Sequence, residues 1–475
     1  MISELKPYPA YKGSGLPWLG EVPDHWEVRS LGSITSAIAK RGRPDLPLLS
    51  VVREKGVIPR ASMSDDENHN YVPDDLANYK VVRAGNLVIN KMKAWQGSLG
   101  VAPVDGIVSP AYFVFDFKTE NRSYGQALLR SKTYVGFFAQ ASDGVRIGQW
   151  DLSIDGMKRI PVVVPPPPEQ TAIVRFLDHT NRRIQRYIRA KQKLIQLLEE
   201  QKQAIINRAV NRGLDPKVRL KPSGIELLGD VPGHWEIKPL KRWAQMNACT
   251  LPEKTDLGYT FRYVDIGTVG TGRLVRNPEV MTLKGAPSRA RRIVRNGDTL
   301  ISTVRTYLRA IYFVEEAGED LIASTGFAAL SPSRQILPRY LSFLIQSASF
   351  IDRVAAHSVG TAYPAISESK MGAFHLAVPP RIEEQKKILQ HLDYEAAPFE
   401  SALKKAYGEI TFLREYRTRL IADVVTGKLD VREAAAGLPD ESEQPEPLED
   451  KETMVDADED DENTAVAAAP EEIKE

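Results

Sequence analysis

Several things are scarce in this chain of 475 residues. It has one cysteine, Cys249, which rules out an intramolecular disulfide and a cysteine-rich metal site and points to a reducing compartment. Long apolar runs are missing: the best, Ile160 to Val164, ends in four prolines, far short of the ~20 residues of a membrane span. The first residues, Met1-Ile2-Ser3-Glu4-Leu5-Lys6-Pro7, lack the apolar core of a secretion signal, so a cytoplasmic location with no membrane partner is expected. The 7 histidines are scattered, with no pair at metal-ligand helix spacing, so no metal site is expected. No Gly-x-x-x-x-Gly-Lys-(Ser/Thr) phosphate cradle occurs. Gly267 to Gly272 is glycine-rich but has no lysine and no helical pattern behind it, and reads as a β-turn region.

Net charge is also nearly absent, at +1, but unevenly distributed. Of 63 Lys and Arg and 62 Asp and Glu, 2 and 16 lie from Asp440 onward, leaving 61 and 46 for the rest. The body is basic at +15 and the tail acidic at −14. A basic body suits a phosphate-bearing partner, and an acidic, aromatic-poor tail is expected to be disordered. With 42% hydrophobic and 26% charged residues the body is that of a globular protein, long enough for roughly three domains of ~150 residues.

What is present is a duplication. Ser14-Gly15-Leu16-Pro17-Trp18-Leu19-Gly20-Glu21-Val22-Pro23-Asp24-His25-Trp26-Glu27-Val28 returns as Ser223-Gly224-Ile225-Glu226-Leu227-Leu228-Gly229-Asp230-Val231-Pro232-Gly233-His234-Trp235-Glu236-Ile237. Val164-Pro165-Pro166 to Leu177-Asp178 likewise recurs as Val378-Pro379-Pro380 to Leu392-Asp393, with Glu169-Gln170 matched by Glu384-Gln385. The copies agree at their ends and diverge between, as one scaffold carrying two different readers would.

Each copy divides into a β-rich front and a helical back. Strand-like runs in the first are Leu87–Ile89, Tyr112–Phe115 and Ile160–Val164; in the second, Tyr263–Ile266, Thr299–Ile301 and Ala310–Val314. The period then lengthens to about three and a half. Pro168 suits a helix start, and Ile173, Leu177, Ile184, Tyr187, Leu194, Leu198 and Ile205 trace a coiled-coil seam. A second such helix has Ile388, Leu392, Phe399, Leu413 and Leu420 on its seam, with Glu395 and Glu409 interrupting it and a kink expected at Pro398. Two-fold pseudo-symmetry makes the pair antiparallel.

The doubled Gly-(Glu/Asp)-Val-Pro-x-His-Trp-Glu motif, the variable fronts and the Val-Pro-Pro-x-x-x-Glu-Gln to Leu-Asp helix start together resemble the specificity subunit of type I restriction-modification enzymes, over residues 10 to about 430. The resemblance implies two target-recognition domains, each reading one half of a bipartite double-stranded DNA site, with the helices setting the spacing and docking two methyltransferase subunits. Restriction would add motor-nuclease subunits. S-adenosylmethionine, ATP and magnesium would belong to those partners, leaving this chain without a cofactor in a phage-defence system that methylates DNA. The acidic tail is not part of the family pattern.

Missing chemistry agrees with a non-catalytic role. An aminomethyltransferase would carry (Asp/Asn/Ser)-Pro-Pro-(Tyr/Phe/Trp), and the nearest string, Ser109-Pro110-Ala111-Tyr112, lacks the second proline. Glu200-Gln201-Lys202 resembles the end of a nuclease motif but lies mid-helix without a partner aspartate in register. His25 and His234 belong to the repeated motif and read as structural.

Candidate DNA-binding groups therefore fall in the variable fronts. In the first, Arg41, Arg43 and Arg53 form one patch with Lys40, Lys55 and Arg60; Asn90, Lys91, Lys93 and Gln96 form a second around Trp95; and Arg146 and Gln149 a third. In the second front, Arg273 to Arg309 holds nine basic residues against two acidic ones, among them Arg289, Arg291, Arg292, Arg305 and Arg309 beside Tyr307; Ser358, Thr361 and Tyr363 lie just before the helix. Arginine can bridge guanine's acceptors and Asn or Gln can pair with adenine, while the bland reading of each is a solvated loop.

The expected architecture is α/β, more strictly α+β: an N-terminal segment 1–25 matching the one before the second domain, target-recognition domains 26–167 and 235–381, spacer helices 168–212 and 382–428, a connector 213–234, and a disordered tail 436–475. As an unbroken helix, Glu169 to Arg212 would run ~66 Å, roughly two turns of duplex. A non-DNA coiled-coil scaffold with two protein-binding domains is the alternative; a stand-alone DNA-modifying enzyme is a weaker third.

Overall fold

The computed structural model describes residues 5–439 apart from 17, 54, 64–71, 74, 147–148, 226, 319 and 362. The chain forms two compact units, residues 1–189 with 410–475, and residues 190–409. Two long helices, Pro167–Arg212 and Ile382–Val425, each contribute a part to both.

The repeated motif has the same structure in each unit. Tyr11–Gly13 pairs with Glu21–Pro23, and Leu220–Pro222 with Asp230–Pro232. Glu27–Ser30 pairs with Pro161–Val164, and Glu236–Pro239 with His375–Val378, so each domain's first and last strands close on one another. A four-stranded antiparallel sheet follows in both. Its order is Thr35–Ala37, Tyr112–Phe117, Leu87–Asn90, Leu99–Val101 in the first unit and Ala244–Met246, Phe327–Pro332, Thr299–Ser302, Ile311–Phe313 in the second. Two short helices cover it, Arg122–Leu129 and Lys132–Gln140 in one, Pro338–Gln346 and Ala348–Ala356 in the other.

The divergent middles are where the folds part. The second unit adds a mixed sheet ordered Glu279–Thr282, Thr260–Val264, Leu321–Ser324, Ala290–Ile293. The first has two strand pairs instead, Leu49–Val52 with Gly56–Pro59 and Lys80–Val82 with Gly106–Val108. The expected strand Tyr263–Ile266 stops at Val264, because Asp265 caps a tight turn at Ile266–Thr268 through a reciprocal pair of hydrogen bonds with Thr268.

Chemistry shared by the two copies fastens helix to domain. Glu169, only 5% exposed, accepts from Trp26 Nε1 at 3.0 Å, from His25 Nε2 at 2.8 Å and from the Tyr8 hydroxyl. Glu384 accepts from Trp235 Nε1 and His234 Nε2, both at 2.9 Å. Gln170 donates to the Pro165 carbonyl and accepts from the amide of Asn121; Gln385 donates to the Pro379 carbonyl and accepts from the amide of Leu337. Asn121 and Leu337 are the N-cap residues of equivalent helices. An apolar core joins Trp26, Ile173 and Phe176 to Leu420 and Val424 in the first unit, and Trp235, Ile388 and Leu392 to Ile206 and Val210 in the second. In both, the beginning of one helix lies against the end of the other, which is the antiparallel order.

The seam shifts register. Ile173, Leu177 and Ile184 are buried, but Tyr187 is 54% and Leu194 41% exposed, and Ile188, Ile195 and Ile206 take the inner positions. An α-helix has 3.6 residues per turn, so a 3.5-residue seam drifts ~20° per heptad, and the buried stripe passes to the next residue. Glu409, an interruption on the second helix, pairs with Lys191 at 2.5 Å, which holds its carboxyl below the usual range through hydrogen bonding to that lysine. The second helix contains the exposed Pro398 within its span Ile382–Val425. The tail was expected from residue 436, and its first four residues are among the described ones. Residues 432–436 are helical, and Arg175 donates to the carbonyls of Leu438 and Pro439; residues 440–475 lie outside the described ones. Among the described residues no helix is long and apolar enough to cross a membrane.

Candidate nucleic-acid interface

Four sequence-selected segments come together as two matched tips. In the first unit the hairpin between Leu87–Asn90 and Leu99–Val101 turns through residues 91–98 and meets the segment ending at Leu152, whose amide donates to the Lys91 carbonyl. Lys91 Nζ pairs with Asp151 at 2.9 Å, and the rings of Trp95 and Trp150 lie 5.3 Å apart. In the second unit the hairpin between Thr299–Ser302 and Ile311–Phe313 turns through residues 303–310 and meets the loop 358–366. There the Ile366 amide donates to the Thr303 carbonyl and the Thr306 and Ser358 hydroxyls are 2.8 Å apart. Both tips join the third and fourth strands of the same kind of sheet.

The tips differ in what they expose. In the second, Arg305 lies 4.9 Å over the ring of Tyr363, and Tyr307, Tyr363 and Val359 are 58%, 65% and 76% exposed. Arg309 and Thr361 are exposed beside them. Arg305 and Arg309 both have left-handed backbones, φ +51° and +50°, a conformation that costs an L-residue roughly 1–2 kcal/mol. At the equivalent C-terminal end of the turn the first unit has Gly97, φ +88°. Glycine fits this place without strain, whereas the arginine carries the left-handed cost together with a long cationic side chain.

The Arg289 to Arg292 strand borders the same tip, since the Thr325 amide donates to the Arg289 carbonyl and the Thr303 amide to that of Gly326. Arg289 is exposed and Arg291 half-buried. Arg292 is bonded to Glu368 at 2.6 Å. Arg273, first of the nine basic residues, lies over Tyr407 of the spacer helix and donates to its hydroxyl, so the run divides between tip and helix. The Ser358 hydroxyl donates to the Val354 carbonyl.

In the first unit Arg41 and Lys93 are exposed and Gln96 half-buried, while Asn90 Oδ1 accepts from the Met92 amide. Arg43 forks onto Asp45 at 2.6 and 2.7 Å. Arg53 is exposed and its carbonyl accepts from Arg130. The side chains of Arg146 and Gln149, like residues 147, 148 and 362, lie outside the described residues; the backbones of Arg146 and Gln149 face each other across a hairpin. Lys80 was missed in the sequence because nothing basic adjoins it. Its ammonium donates to the Tyr112 carbonyl at 2.5 Å and lies 5.8 Å from the Phe113 ring centroid. Partial burial, then the neighbouring charges of Arg41 and Lys91, hold its pKa below the usual lysine range. Two patches far apart in sequence thus share one positive field.

The chain thus holds two domains of one design, each with its own exposed tip. The family model described as Type I restriction modification DNA specificity domain matches residues 23–197 and again 232–405, and the chain belongs to this family. It is a DNA specificity subunit, a recognition component of a type I restriction-modification system and not an enzyme, which sets the scaffold reading aside. Among curated relatives, the type I restriction enzyme HindI specificity subunit of Haemophilus influenzae is 27% identical over 135 residues, 27% of this chain and 29% of that one, so this match spans under a third of the relative. The "Putative type I restriction enzyme MjaX specificity subunit" of Methanocaldococcus jannaschii is 20% identical over 442 residues, 87% of this chain and 96% of that one. A solved chain from work on complex assembly and conformational transition of the type I R-M system is 16% identical, with a TM-score of 0.56 over 86% of this chain and 99% of its own; that likeness is one of fold.

Proposed function

We propose that each domain reads one half of a bipartite DNA site through its tip, and that the two long helices set the gap and dock two methyltransferase subunits in the cytoplasm. Those subunits supply S-adenosylmethionine, and restriction subunits supply the ATP- and magnesium-dependent steps. The carrying observation is the exchange of Gly97 for Arg309 at matched left-handed positions: the same turn is kept while a strained arginine is placed where the domains differ. Arg305, Arg309, Tyr307 and Tyr363 offer guanidinium forks and aromatic faces to one half-site. Lys93 and Gln96, in the field shared by Lys80, Arg41 and Lys91, serve the other.

Mapping methylated adenines in cells carrying the complete system tests this. Arg305→Ala with Arg309→Ala should relax the sequence of one half-site, and Lys93→Ala with Gln96→Ala that of the other, each lost bidentate contact costing ~1–3 kcal/mol. Relaxation of both halves by either pair would refute the assignment of one reader to each domain. Inserting four residues near Gln192 and four near Tyr407 should widen the gap by about one to two base pairs, at 1.5 Å per residue and ~10 base pairs per turn; an active insertion mutant with its original gap would exclude the helices as the ruler.

A further inference from the structure

The long helix Pro167–Arg212 carries a basic ridge on its outer face. Between residues 175 and 189 it has five arginines, at 175, 182, 183, 186 and 189, with His179 among them and Asp178 as the one acid. At 100° per residue, Arg175, His179, Arg182 and Arg186 fall within about 60° of one another, and Arg183 lies just beside them. The buried residues Ile173, Leu177, Thr180 and Ile184 occupy the opposite side. Arg182 and Arg186 are exposed, and the side chains of Arg182, Arg183 and Arg186 make no hydrogen bond or ion pair among the described residues. Four of the arginines act together on His179, whose pKa lies below its usual value through partial burial and then the charges of Arg183, Arg182, Arg175 and Arg186. So dense a run of one sign is unfavourable in isolation and gains from a counter-charge.

The same chain carries such a counter-charge. Arg175, the first residue of the ridge, donates to the carbonyls of Leu438 at 2.8 Å and Pro439 at 3.1 Å, the last two described residues. From there 36 residues carry 16 acids against 2 bases, six of the acids within Asp456 to Glu462. The distance along the ridge from Arg175 to Arg186 is ~16 Å at 1.5 Å per residue, and an extended chain covers that in about five residues. Tethering adds a high effective concentration to the charge attraction.

We propose that the acidic segment 440–475 docks on the Arg175–Arg186 ridge of its own chain, as an electrostatic cover that salt or a competing polyanion displaces. Carbodiimide cross-linking of the full chain tests it, because the reagent joins amines to touching carboxylates. Arg182→Lys and Arg186→Lys keep the charge and make the ridge reactive. The ion pair of Lys191 with Glu409, 2.5 Å apart, is a built-in positive control. The expected result is cross-links from both introduced amines to carboxylates within 440–475, strongly reduced in 0.5 M salt (roughly a 4 Å screening length) while the control persists better. Cross-linking of the control with no ridge-to-tail product overturns the proposal. Tail products that salt leaves unchanged overturn its electrostatic basis. If tail products are absent and Arg182→Glu with Arg186→Glu weakens binding of the full chain to a non-specific duplex, the ridge belongs to nucleic-acid backbone instead.

Discussion

Replacing Gly427 by alanine and, separately, Gly213 by alanine turns the pseudo-symmetry into a controlled experiment. Each glycine follows the end of a long helix with a left-handed backbone, φ +80° and +71°, and each sits against the tryptophan of the repeated motif. At Gly213 an added Cβ meets Trp235 at 3.4 Å, ordinary contact. At Gly427 it lands 2.7 Å from Pro23 Cγ and 3.0 Å from Trp26 Cζ3, with Pro23 Cδ nearer still. Alanine pays the left-handed cost of about 1–2 kcal/mol at both positions, partly offset by a less entropic unfolded chain, ~0.4–1 kcal/mol. Only Gly427→Ala adds the strain of overfilling a packed site, about 1–3 kcal/mol, against groups that are ring and backbone-linked and cannot swing aside. The expected losses are therefore ~1 kcal/mol for Gly213→Ala and about 2–4 kcal/mol for Gly427→Ala. Hydrogen exchange read by mass spectrometry reports each unit separately, which one melting curve of a two-unit chain does not. Exchange in peptides around Trp26 should accelerate at least about fivefold, at 1.4 kcal/mol per decade, beyond that seen around Trp235 in the other variant. Equal acceleration at the two sites would refute the close approach at Pro23.

Glu169→Ala should destabilise the first unit by about 2–4 kcal/mol, since the buried Trp26 indole N–H and Tyr8 hydroxyl lose their acceptor; denaturation or exchange that matches Glu384→Ala, whose carboxylate is 28% exposed, would contradict the difference in burial. Arg309→Gly should relax the left-handed turn, leaving the tip as stable or up to about 1 kcal/mol more so while duplex affinity falls, measured by exchange at residues 303–310 and by titration with the recognised DNA; unchanged affinity would make the strain purposeless. Acid should loosen the junction where the Asp430 amide bonds the Lys6 carbonyl. Burial alone would raise the Asp430 pKa, but the hydrogen bonds and charge of Arg432 override it and hold it low. A depressed carboxyl contributes its full stabilisation above the free value of ~3.9 and loses it as pH falls through the lower folded value. Proteolysis of the N-terminal segment should therefore rise only below about pH 4, and Arg432→Ala should reduce that dependence.

Repetition made the architecture legible. Identical motifs at the two ends of each copy announced one fold used twice, and the 3.5-residue apolar spacing announced two long helices, because burial periodicity is a local property of sequence. His25, Trp26 and Glu169 stood out as paired occurrences, but only packing shows their roles, with one carboxylate collecting the donors of the other end of the domain. The tertiary structure decided matters that depend on long-range approach. It moved the seam from Tyr187 to Ile188 and from Leu194 to Ile195, a drift of the true helical period that accumulates too slowly to be read residue by residue. It joined residues 91–98 to 150–152 and residues 303–310 to 358–366 through backbone hydrogen bonds between segments some fifty residues apart. It gave Arg292 to Glu368, and brought Lys80 beside Arg41 and Lys91. A basic residue in a sequence is only a charge; whether it faces a partner or a carboxylate of its own chain is fixed by which strands pair, and that pairing is set by the whole core.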